Sequence, residues 1–208
     1  MAINKRGFYS EIVEKIEQFN QDKTEFNNSQ YLDKLVEYIR EKQQKSEKIK
    51  LTFVCTHNSR RSQFAQLWAF VSARYYDIDI ESYSGGVEVT ACNKRTIDSI
   101  KRFGFKVENK TGGENPKYVV KFSDRIESLT LFSKLYDNDF NPSQGFAAIM
   151  TCSHADENCP FISGAEIRIP IRYEDPGKSD NTDEESLTYD ETSNRIAREM
   201  LYVFSQVK

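Results

Sequence analysis

The stretch "LTFVCTHNSRRSQFAQ", residues 51–66, constrains the fold more than any other part of the chain. It begins in a short β-prone run, "IKLTFVC", and from Ser62 the segment "SQFAQLWAFVSARYY" has apolar residues at helical spacing. A strand, a brief loop and a helix form one unit of an α/β chain. Cys55 closes the strand, and Arg61 follows six positions on.

The later segments repeat that alternation. "DIDIESYSGG" alternates like a strand and stops at a glycine pair, and "NKRTIDSIKRFGF" predicts a helix ending near Gly104. "FAAIMTC" is apolar throughout and predicts a buried strand, while "EIRIPIRYEDP" is extended and ends in a turn. "EESLTYDETSNRIAREMLYVFSQV" predicts a closing helix. "YVVKF" and "LTLFSKLY" are both strand candidates, and either can join the central sheet. Strands alternating with helices imply α/β architecture with a mostly parallel sheet. Before them, Phe8, Ile12, Val13, Ile16 and Phe19, then Leu32, Leu35, Val36 and Ile39, recur at three- and four-residue steps. The expected division is therefore a helical extension over 1–48, a hairpin laid on the main domain or a dimer interface, and a domain over 49–208.

Composition narrows the function. The 29 basic and 32 acidic residues leave a net charge of −3, which argues against a nucleic-acid surface. No apolar run approaches the roughly 20 residues needed to cross a bilayer, so no membrane role is expected. "MAINKRGFYSEIVEK" lacks a signal peptide's apolar stretch. The expected compartment is the cytoplasm, where the four cysteines remain thiols rather than structural disulfides. Two histidines are too few for a histidine-based metal site, and they make a Ser-His-Asp triad improbable. Neither a metal nor an organic cofactor is expected.

In a parallel sheet, ligands bind beyond the carboxyl ends of the strands, where Cys55 stands. The following helix start offers free amides and a positive dipole end to an anion. The same field favours the nucleophilic thiolate. Arg61 can add paired N–H bonds to a tetrahedral oxyanion. Asn58 can brace the loop, and Ser62 can donate to the sulfur.

With those residues in view, "VCTHNSRRS" resembles the phosphate-binding loop of low-molecular-weight protein tyrosine phosphatases and of the arsenate reductases that share their fold. The resemblance, over roughly residues 50–208, implies a three-layer sandwich with a four-stranded central sheet. It implies Cys55 as nucleophile, Arg61 as clamp, and an oxyanion site made from Thr56, His57, Asn58, Ser59, Arg60, Arg61 and Ser62. Two departures stand out. His57 replaces a usual glycine, and Gln66 stands where some reductases carry a potassium-binding glutamate, which argues against a potassium site.

"TCSHADENCPF" separates the two relatives. Cys152 and Cys159 are seven apart, unlike zinc ligands, which usually sit two to four residues apart in sets of four. The segment resembles that of thioredoxin-coupled arsenate reductases, and implies a redox relay through Cys55, Cys152 and Cys159 with a thioredoxin-like reductant as partner. "YEDPGKSD" resembles the loop carrying the family's general acid, which places that role at Asp175. The tyrosines that often follow it in phosphatases are missing until Tyr189. Arsenate reduction is the leading expectation. Phosphomonoester hydrolysis through a phosphocysteine is the alternative, and an anion- or redox-sensing adaptor using the N-terminal helices is a third.

Overall fold

The computed structural model describes residues 7–22, 26–158 and 161–207. The apolar run that ends in Cys55 forms β1 (Lys50–Cys55), flanked by β2 (Glu81–Gly86) and β6 (Phe146–Met150), with β7 (Ala165–Ile169) beyond β6. All three pairings are parallel, in the order β2-β1-β6-β7. Every residue of β6 is buried, as its unbroken apolar sequence requires of an interior strand.

Helix α3 (Arg61–Tyr75) links β1 to β2 and is buried on nearly every face. It lies between the sheet and the long α6 (Glu185–Val207), to which the Trp68 indole is tied by a 2.9 Å bond to Ser193. On the outer side of α6 lie α1 (Ser10–Gln21) and α2 (Ser29–Gln44). Ile12, Ile16, Leu32, Leu35 and Ile39 are completely buried there. Each such burial contributes about 2 kcal/mol. The apolar faces of these helices are thus covered within one chain. Phe8 precedes α1 and forms an isolated bridge to Ser123, because the Tyr9 amide bonds the Phe122 carbonyl. Residues 1–6 and 23–25 of the expected extension lie outside the described residues.

Neither uncertain candidate adds a full strand to the central sheet, though the end of "LTLFSKLY" reaches it, where Leu135 makes an isolated parallel bridge to Gly86 of β2. β3 (Lys106–Asn109), β4 (Tyr118–Lys121) and β5 (Leu129–Leu131) form a separate antiparallel sheet, reached through α4 (Lys94–Arg102). A short helix, α5 (Ser153–Asn158), follows β6. Among the described residues no helix is long and apolar enough to cross a membrane.

Gly86 is where the sheet meets the loop after β1. A Cβ there would lie 2.8 Å from both the Thr56 carbonyl and the Asn58 amide. Glycine lets the loop close against the end of β2.

Candidate active site

β1 and β6 end side by side, with Val54 opposite Met150. Their next residues therefore enter one crevice, and this brings Cys55 and Cys152 to the same edge of the sheet. Asn58 organises the loop between β1 and α3. It is fully buried, adopts a φ of +47°, accepts the Lys134 amide on Oδ1 at 3.1 Å and donates to Ser62 Oγ at 2.8 Å. Ser62 Oγ lies 3.1 Å from Cys55 Sγ. With Asn58 filling a lone pair of that hydroxyl, its own hydrogen is free to point at the sulfur.

The carbonyls of Thr56, His57, Asn58 and Ser59 all accept bonds from surrounding segments. An anion nest needs this, because carbonyl oxygens must point away from the anion. Helix α3 has no side-chain cap, so its first amides remain as donors.

The two arginines have different surroundings. Arg61 donates through Nη2 to Asp175 Oδ2 at 2.6 Å and through Nη1 to the Tyr173 carbonyl at 3.2 Å. Its Nε is buried and has no hydrogen-bond partner among the described residues. Arg60 instead donates from Nε to the Tyr189 hydroxyl at 2.6 Å and from Nη2 to Asp180 at 2.9 Å. Its guanidinium is held under the acid loop by these bonds. Tyr189 is completely buried, and burial together with its bond to Asp180 raises its hydroxyl pKa, so it forms no exposed wall for a substrate ring.

Asp175 caps the 3-10 turn Pro176–Ser179, accepting the Gly177 amide at 3.0 Å. His57 sits on the rim, its Nε2 3.3 Å from Glu88. Behind the rim, Tyr173 donates to the buried Glu199 carboxylate at 2.7 Å, which also receives Asn28 at 3.2 Å.

Cys152 is buried, and its sulfur accepts the Ala155 amide at 3.3 Å. Thr56 Oγ1 lies 3.5 Å from Cys152 Sγ and 3.3 Å from His154 Nδ1. Asp156 pins α5 through ion pairs with Arg168 and Arg172. Cys159 lies outside the described residues. Cys92, the remaining cysteine, is buried, and burial pushes its thiol up to about 12.

Gln66 donates to the Ser82 carbonyl at 3.0 Å and accepts Ser84 Oγ at 2.6 Å. The buried Lys134 ammonium stands 3.5 Å from that same hydroxyl, and burial pulls its pKa down to about 7. These residues do not fit a potassium ion, since Gln66 brings no charge and a cationic side chain is already present. Among the described residues no group of three or more His, Cys, Asp and Glu side chains can hold a metal.

No family model matches the chain. Arsenate reductase 1 of Staphylococcus saprophyticus is 30% identical over 124 residues, which cover 60% of this chain and 76% of that protein. The chain belongs to the arsenate reductase family. An arsenate reductase of Bacillus subtilis is 27% identical over 149 residues, covering 69% of this chain and 89% of the relative. A low-molecular-weight phosphotyrosine phosphatase from Vibrio cholerae superposes with a TM-score of 0.50 at 12% identity, over 76% of this chain and 94% of that one. At that identity the likeness speaks for the shared α/β fold alone. As a member of the arsenate reductase family the chain is an enzyme, and its candidate active site is the crevice at Cys55.

Proposed function

We propose that this enzyme reduces arsenate to arsenite at Cys55 and passes the oxidation to Cys152 and then to Cys159. The Cys55 thiolate attacks arsenate, a water leaves, and an S–As(V) bond forms. Cys152 then attacks Cys55 sulfur. The S–S bond forms, the S–As bond breaks, and its electron pair leaves with arsenic as arsenite. Cys159 displaces Cys55 from Cys152, and a thioredoxin-like dithiol reduces the resulting disulfide. One observation carries the reading: the second thiol, Cys152, touches Thr56, the residue adjoining the first thiol, at 3.5 Å. The unpartnered Arg61 Nε supports anion binding at the same place.

A second reading is phosphomonoester hydrolysis through phosphocysteine, and the Arg61–Asp175 contact favours it, because a proton carrier stands beside the anion clamp. Cys152→Ser separates the two. Under the leading reading it abolishes thioredoxin-dependent arsenate turnover, measured as NADPH consumption with thioredoxin and its reductase, and spares aryl phosphate hydrolysis. Arsenate turnover that persists in this variant overturns the relay.

A further inference from the structure

Cys152 must lose a proton before it can attack Cys55, and it is buried, so bulk water does not collect that proton directly. The nearest hydroxyl is Thr56 Oγ1, at 3.5 Å. The same oxygen lies 3.3 Å from Nδ1 of His154, whose residue is exposed to solvent. A thiol, a hydroxyl and an imidazole thus stand in sequence from the buried crevice to the surface. We infer that His154 is a positioning residue that draws the Cys152 proton outward through the Thr56 hydroxyl, making the second nucleophile of the relay a thiolate. The inference rests on the relay reading of the site.

The bonds balance without another reagent. The Cys152 S–H bond breaks as its proton moves to Thr56 Oγ1. The Thr56 O–H bond breaks as that proton moves to His154 Nδ1, in the tautomer that carries its hydrogen on Nε2. The threonine ends unchanged, the imidazole gains one proton and passes it to water, and the thiolate's electron pair forms the bond to Cys55 sulfur. A hydroxyl between thiol and base suits this geometry, because Thr56 is fixed by its place beside Cys55 while α5 holds both Cys152's amide partner and His154.

The test is arsenite release in a single turnover of the full-length enzyme with excess arsenate and no thioredoxin. His154→Ala is expected to slow release about a hundredfold, within the range for a lost acid–base partner, while the half-saturating arsenate concentration stays unchanged. External imidazole is expected to restore the rate, because the position is open to solvent. His154→Gln keeps a hydrogen-bond acceptor for Thr56 but carries no proton at neutral pH, and is expected to remain slow. Release at the wild-type rate in either variant, or a loss that imidazole does not repair, overturns the inference. Cys152→Ser run alongside separates the two layers. If it is inert while His154→Ala is fast, only this inference fails; if it releases arsenite normally, the relay itself fails.

Discussion

Arg61 and Asp175 share a 2.6 Å ion pair at the mouth of the loop. The guanidinium suited to an oxyanion and the carboxylate suited to carry a proton therefore hold each other. Asp175 is about a third exposed, so the pair is worth only up to about 1 kcal/mol. Asp175→Asn removes the competing charge. Inhibition by inorganic phosphate is expected to tighten up to about fivefold, while hydrolysis of an aryl phosphate falls on the order of a hundredfold. Phosphate inhibition constants and chromogenic turnover measure the two effects, and an unchanged inhibition constant refutes the competition.

Asn58 serves the loop through two side-chain bonds and a left-handed backbone. Asn58→Ala is expected to cost about 3 kcal/mol, roughly one for each bond and one for alanine at positive φ. For a chain of this size that lowers the melting temperature by about 6–12 °C. Asn58→Gly relieves the backbone but restores neither bond. It should melt above the alanine variant and share its loss of turnover. Equal melting of the two variants argues against backbone strain.

Oxidation of the relay is expected to unwind α5. Seven helical steps span about 10 Å, whereas a disulfide needs Cα atoms roughly 4.4–6.8 Å apart. Cys152 and Cys159 thus cannot bond across an intact 153–158 helix, and the Asp156 ion pairs to Arg168 and Arg172 are the contacts most exposed to that change. Amide hydrogen exchange should lose protection over 153–158 in the oxidised enzyme. Equal protection in both states counts against the pairing.

Burial draws Lys134 from its ordinary 10.5 down to about 7. Between those values the unfolded chain binds more protons than the folded one, so the native state gains stability as pH rises from about 7 toward 10.5 and loses it again as pH falls from 10.5 to about 7. Lys134→Met keeps the length and removes the titration. The variant is expected to melt above the wild type near neutral pH, and the gap should close toward pH 10. A gap independent of pH removes this account of the lysine.

The strand, loop and helix at Cys55 were legible because the apolar pattern switches there from a continuous run to helical spacing. The helices at Ser10–Gln21 and Ser29–Gln44 were legible from apolar residues recurring at three- and four-residue steps. The second sheet was not, because "YVVKF" and "LTLF" depend on which edges of the central sheet are already taken. Nothing in "LFSKLY" marks Lys134 as buried, because the Phe140 ring, 5.7 Å from its ammonium, meets it only in the fold. The contacts of Thr56 with Cys152 and His154 arise from β1 and β6 being neighbours, 96 and 98 residues apart in the chain. The tie between Arg60 and Tyr189 spans 129 residues and leaves no local trace.

The Glu199 carboxylate receives Asn28 ahead of α2 and Tyr173 behind the site rim, with Arg195 one turn away on its own helix. It ties two distant parts of the chain to α6. A residue there that cannot accept would leave both Asn28 and Tyr173 without this partner, so the accessory helices and the backbone that holds Arg61 have a common point of failure.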